Sequence, residues 1–112
     1  MKTHIRAMFQ VSAAIAVLAA ASAVWAGADA GKAFYDEKCK ACHSIAGEGG
    51  KMAKLGGPLD DVGAKRDAAW LRAYLKDPKS QIPKAKMPKM PLTDQQLDDV
   101  IAYMLTLKGS AK

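Results

Sequence analysis

Metal-ligating and sulfur chemistry is scarce in this 112-residue chain, which has two histidines and two cysteines. The histidines are His4 and His43, and the cysteines are Cys39 and Cys42. A structural zinc site takes four nitrogen or sulfur ligands. The cluster at 39–43 offers three, so zinc is excluded. A single local bridge between Cys39 and Cys42 is the most a disulfide framework could be. Aromatic residues are also sparse, at 6%. A chain this short struggles to bury enough apolar surface by itself, so something other than side chains is expected to complete its core. No strand pattern, internal repeat or low-complexity segment stands out. The glycine-rich run Gly47–Gly57 is not a phosphate loop, because no strand precedes it and no Gly-Lys-Ser/Thr ends it.

The first 26 residues read as a secretory signal outside the fold. Lys2, His4 and Arg6 make a positive start, and Phe9 to Trp25 is apolar and alanine-rich. Val24-Trp25-Ala26 then offers a cleavage site, with Ala28-Asp29-Ala30 as the second choice. The apolar run is shorter than the roughly 20 residues of a membrane span, so cleavage and export to the periplasm are expected, with no stable membrane span afterwards. The remaining domain, 27–112, loses Lys2 and Arg6, and its net charge falls from +6 to +4. That charge is small and interspersed, which argues against a nucleic-acid partner.

Cys39-Lys40-Ala41-Cys42-His43 is a C-x-x-C-H motif, the attachment signature of a c-type haem. Two thiols about one helical turn apart can add to the two vinyl groups of one porphyrin. The adjacent histidine then lies under the iron as proximal ligand. One covalent haem per chain would also supply the missing core, and its attachment outside the cytoplasm agrees with the export signal.

The domain reads as three main helices joined by loops. Asp29 is the expected N-cap of a first helix over about 30–41, with Gly31 and Phe34 on one face. Gly47–Gly57 reads as an irregular loop closed by Gly57-Pro58-Leu59. A proximal histidine needs an acceptor for its second ring N–H. The Pro58 carbonyl is assigned that role, and Leu59 packing on the haem, although Pro58 also fits an ordinary loop proline. Asp67 caps a second helix over about 68–76, whose Trp70, Leu71, Tyr74 and Leu75 form one apolar stripe. The polar tips of Trp70 and Tyr74 need partners if buried, and a haem propionate is one candidate. Pro78, Pro83, Pro88 and Pro91 make 78–91 an extended loop. No second histidine remains in the domain, so a methionine of this loop, Met87 or Met90, is the natural distal iron ligand. Thr93 and Gln96 form a capping box for a last helix over about 94–107 that stops at Gly109. Its apolar face is Leu97, Val100, Ile101, Met104 and Leu105.

These motifs in this order resemble the small bacterial class I cytochromes c over residues 28–108. The resemblance implies an all-α fold of three main helices and loops wrapped around one covalent haem c. It implies that Gly31 and Phe34 cross the last helix, with Tyr103 as aromatic partner. Lys86-Met87-Pro88, set back from Leu92-Thr93-Asp94, resembles the family's distal loop and favours Met87 over Met90. The implied function is that of a periplasmic one-electron carrier with His43 and Met87 as axial ligands, not an enzyme. Its partners would be transient redox proteins, met at a haem edge rimmed by Lys38, Lys40, Lys84, Lys86 and Lys89. Three other readings remain: a haem subunit of a larger respiratory or sulfur-oxidising complex, a haem sensor or enzyme with an open distal site, and a haem-free disulfide-stapled module.

Overall fold

Residues 27–109 are described in this structure, a computed structural model. The leader and its expected cleavage after Ala26 lie outside them. α1 (27–38) runs directly into the C-x-x-C-H peptide. A small antiparallel hairpin follows, β1 Ser44–Ile45 and β2 Glu48–Gly49, and then two single-turn helices, α2 Ala53–Gly56 and α3 Val62–Lys65. The chain continues through α4 Ala68–Lys76, α5 Pro78–Gln81, an irregular methionine-bearing segment, and α6 Asp94–Met104. Helices dominate, as the all-α expectation requires.

Local chemistry sets the helix starts. Asp67 accepts the backbone N–H of Trp70 at 2.8 Å and opens α4 at the expected residue. At α6 the Thr93 hydroxyl accepts from Gln96 N at 3.1 Å, and the Gln96 side chain accepts from Thr93 N at 2.9 Å. This reciprocal box satisfies two donors that a helix start leaves open. Asp29, by contrast, lies inside α1 and is not its cap. The expectation of a loop from residue 78 also fails, because Pro78 begins α5. Its missing N–H costs nothing at the first helical position, and its fixed φ suits a helix there. The glycine-rich run is more ordered than a loop, since it holds β2 and α2. α6 ends at Met104, three residues early, where turn bonds from Thr106 N to Tyr103 O and from Leu107 N to Met104 O replace helical ones.

The core lies where α4 and α6 meet. Leu97, Val100, Ile101 and Met104 of α6 pack with Leu71 and Leu75 of α4 in one buried cluster. An ion pair between Arg72 and Asp98 links the same two helices at the surface. Behind α6, the tail folds back to the segment before α4: Gly63 N donates to Leu107 O at 2.7 Å and Gly109 N to Asp60 O at 2.9 Å.

α1 crosses α6 at Gly31. A Cβ there would overlap the Asp99 carbonyl and press on the Tyr103 side chain, so the glycine is a requirement of backbone approach. Its aromatic companion is Tyr35, which corrects the expectation of Phe34. Tyr35 is 2% exposed, and its ring centroid lies 5.9 Å from that of Tyr103 at 48°. Phe34 is half-buried at the edge of the core. Helical geometry explains the choice: a residue four positions on lies about 40° from its starting residue around the axis, and one three positions on about 60° away on the other side. Gly31, Tyr35 and Cys39, spaced by four, are all buried.

The Tyr35 hydroxyl is buried with no hydrogen-bond partner among the described residues. Burial first, then the neighbouring Tyr103, pushes its phenol up to about 12 from 10.0. The folded state therefore holds this proton more tightly than the unfolded chain does. The stability it contributes is present below pH 10.0 and is lost as pH rises toward about 12. Tyr35→Phe should leave stability at neutral pH unchanged or slightly raised, since no hydrogen bond is lost. It should also lose less stability than the parent above pH 10.0. Urea unfolding of both proteins at neutral and alkaline pH checks the sign. Gly31→Ala is expected to cost about 1–3 kcal/mol by overpacking, read in the same unfolding curves.

Candidate haem-binding cleft

The C-x-x-C-H peptide is shaped by the end of α1. Cys39 N still donates to Tyr35 O at 2.9 Å, and then Cys42 N and His43 N both donate to Cys39 O at 3.1 Å. One carbonyl thus gathers the motif into a single turn. Cys39 is buried, Cys42 is half-buried, and both thiols are free. Burial, with Cys42 as a lesser cause, pushes the Cys39 thiol up to about 11, so the motif rests as a thiol there and not as a thiolate.

The imidazole of His43 is held from the glycine-rich side. Its Nδ1 lies 3.1 Å from the Gly57 carbonyl oxygen. A carbonyl only accepts, so Nδ1 carries the proton and donates, which leaves the Nε2 lone pair free to ligate. The expected acceptor was the Pro58 carbonyl; the structure gives the role to the residue before it. Gly57, at φ 78° and ψ 177°, turns its carbonyl toward residues 43 and 44, and Ser44 N shares it at 3.4 Å. Pro58 instead forms a parallel bridge with Ser44, completed by Leu59 N donating to Ser44 O at 2.9 Å. Gly56 is equally constrained: a Cβ there would overlap the Cys42 carbonyl and come within 2.7 Å of His43 Cε1.

His43 and Cys39 open onto a cleft of about 200 Å³. Its walls are largely apolar. Pro58, Leu59 and Val62 line it together with Leu71, Tyr74 and Leu75 of α4, and Met87 and Ile82 come from the segment after α5. Of the expected site residues, Cys39, His43, Pro58, Leu59, Trp70, Tyr74 and Met87 line the cleft. Cys42 and Met90 do not, although Cys42 sits in the turn that bears Cys39 and His43.

Trp70 and Tyr74 act as a unit. Their rings stack 5.0 Å apart and 9° from parallel, and the Arg66 guanidinium lies 4.0 Å over the Trp70 ring. Arg66, Asp61 and Lys65 bring charge to a cleft that is otherwise apolar. Sequence reading missed Arg66, because it follows α3 in an extended conformation where no helical spacing points to it. It also missed Ile82 and Val62.

The residues fit a porphyrin. Two free thiols stand one turn apart, an imidazole presents Nε2, and apolar walls lead to a thioether. No group of three or more His, Cys, Asp or Glu among the described residues could hold a metal ion. No described helix is long and apolar enough to cross a membrane.

Comparison with known proteins agrees with this fit. The cytochrome c family model matches residues 28–108. Cytochrome c-550 of Nitrobacter winogradskyi is 35% identical, over 68% of this chain and 86% of that protein. No solved structure matches the chain.

If the contact at Gly56 holds the imidazole, Gly56→Ala should push His43 off the Gly57 carbonyl. The protected Nδ1–H resonance of His43 should disappear from the NMR spectrum, with about 1–3 kcal/mol of stability lost to overpacking. An unchanged resonance would show that this contact does not position the ring.

Proposed function

The chain belongs to the cytochrome c family, and on that premise we propose that it is a periplasmic one-electron carrier with His/Met ligation. Cys39 and Cys42 would hold haem c through thioether bonds, and His43 Nε2 and the Met87 sulfur would ligate its iron. When bound, the haem supplies a ferric/ferrous couple.

The protein's part is to hold, orient and dry that couple. The Gly57 carbonyl keeps the imidazole in one tautomer and one plane. Met87 offers a soft, weakly donating sulfur, which favours the reduced state and raises the potential relative to a second histidine. Leu59, Val62, Leu71 and Leu75 exclude water along the walls. The low dielectric they create disfavours the more highly charged ferric state. Arg66 places a fixed positive charge by Trp70, suited to a propionate. The chemistry needs no general acid, base or nucleophile, and iron held by both His43 and Met87 would leave no open position for substrate.

The observation that carries the ligand assignment is the course of the methionine segment. Met87 lies on the cleft wall and packs against the core, whereas Met90 does neither. Export follows from the leader, and the partners are transient redox proteins. Lys38, Lys84, Lys86 and Lys89 are exposed and Lys40 is half-buried, and exposed lysines near the haem edge would steer an acidic partner.

Visible spectra of the exported protein, of Met87→Ala and of Met90→Ala test the assignment. The oxidised parent should show the weak long-wavelength band of methionine–ferric ligation, and Met87→Ala alone should lose it. Loss only in Met90→Ala would move the ligand and keep the function. A high-spin parent that shifts with carbon monoxide would replace the carrier with a sensor or enzyme.

A further inference from the structure

The β1–β2 hairpin turns on two residues. Ile45 pairs with Glu48, so Ala46 and Gly47 are the whole turn, and both have positive φ, at 53° and 79°. Positive φ at both positions is the type I′ arrangement, whose twist matches that of the flanking strands. Its first position is ordinarily filled by asparagine, aspartate or glycine. Ala46 is none of these, and it is the one non-glycine residue with positive φ among the described residues. Its Cβ disfavours that conformation, so a contact from outside the hairpin is needed to hold it.

Asp60 makes that contact. Its Oδ2 accepts the Ala46 N–H at 2.9 Å. Asp60 takes part in none of the ion pairs among the described residues, so its carboxylate is not committed elsewhere to a lysine or arginine. The contact extends a series. Ser44 N donates to Gly57 O at 3.4 Å, Leu59 N to Ser44 O at 2.9 Å, and Ala46 N to Asp60. Segments 44–46 and 57–60 are thus joined residue after residue, the last time through a side chain where the backbone pairing ends. The Asp60 carbonyl accepts from Gly109 N at 2.9 Å, which anchors Asp60 to the tail behind α6. At the other end of the series lies Gly57 O, which also accepts from His43 Nδ1 at 3.1 Å. Ser44 directly follows His43, so any slip of 44–46 against 57–60 moves the acceptor relative to the ring.

We infer that Asp60 is a positioning residue for His43. By pinning Ala46 in the turn it fixes the register of 44–46 on 57–60, and so keeps the Gly57 carbonyl on the imidazole. The inference rests on the carrier reading above and adds a residue that tunes the couple from outside the cleft, since Asp60 does not line it. A firm bond at Nδ1 makes the imidazole a stronger donor to iron and favours the oxidised state. Loosening it should raise the potential.

The test uses the haem-loaded protein and three variants. Asp60→Asn removes the charge and keeps an acceptor. Asp60→Ala removes both. Asp60→Ala with Ala46→Gly removes both but gives the turn a residue at ease with positive φ. NMR follows exchange of the His43 Nδ1–H in the reduced protein, under carbon monoxide where the iron is high-spin, and the midpoint potential of each variant is measured beside it. Asp60→Ala should exchange that proton about tenfold faster than the parent, the scale of one lost hydrogen bond to a charged group. Its potential should lie above that of Asp60→Asn, a comparison that separates the bond from the field of the carboxylate. Adding Ala46→Gly should restore slow exchange and the Asp60→Asn potential. Asp60→Ala matching Asp60→Asn in both readouts would overturn the inference, as would a double variant no slower than the single one. In the parent itself the Ala46 N–H should be protected from exchange although Ala46 is exposed, and an unprotected one would overturn the inference without any substitution. A parent lacking the methionine–ferric band would overturn the carrier reading alone, because the exchange comparison stands for any haem bound by His43.

Discussion

The peptide between Cys39 and Ser44 has almost no freedom of its own, and the rest of the molecule follows from how it is held. Successive carbonyls along it are claimed in turn: Cys39 O by two N–H groups of the motif itself, Lys40 O by Gly50, Ala41 O by Met52, Cys42 O by Gly56 and Ser44 O by Leu59. The His43 side chain closes the series on Gly57 O. A second backbone must lie against the first along its whole length for this to happen. Side chains on the facing positions would keep the two apart. A Cβ at Gly49, Gly50 or Gly56 would fall within 2.7 Å of, or overlap, the 41–43 backbone or the side chains beside it. The glycine-rich composition of this stretch therefore serves close wrapping, and the resulting geometry sets the imidazole plane before any cofactor is considered.

The same economy governs the helices. A domain of this size has little apolar area to spare, and it uses Gly31 to bring α1 against the Asp99 backbone of α6. The crossing puts Tyr35 on Tyr103 and aims Cys39, one more turn along, toward the cleft. On the far side, Leu71 and Leu75 of α4 serve both the α6 cluster and the cleft wall. Core and site share residues here. Loss of packing at the α4–α6 seam would therefore be felt in the dielectric around the iron as well as in stability.

Legibility in the sequence tracked how local the determining interaction was. The Asp67 cap, the Thr93–Gln96 box and the α6 stripe depend on residues within one or two turns, and each was readable to the residue. The haem motif was readable because its spacing is the chemistry. The spacing from Gly31 points to Phe34 at i+3, and only the crossing geometry at Gly31 selects Tyr35 at i+4 instead. The histidine's acceptor was placed one residue late for a similar reason. Either carbonyl of Gly57-Pro58 can accept, and the positive φ of Gly57 turns its own toward the ring. Arg66 could not be foreseen, since its contact with Trp70 arises from an extended residue between two helices.

The methionine segment shows how a proline-rich stretch without regular structure can still be selective. It begins from a helix, α5, whose first residue is a buried proline, and ends in the most locally determined structure of the chain, the α6 capping box. Just before that box, Leu92 N donates to Met90 O at 2.9 Å. This tight turn around Pro91 commits Met90 to the approach to α6. Met87, three residues earlier, is far enough from the cap to be free of it and close enough to α5 and Ile82 to be carried along the cleft wall. The two Met-Pro pairs are equivalent as sequence. They differ in distance from the helix start, and that distance decides which methionine lines the cleft.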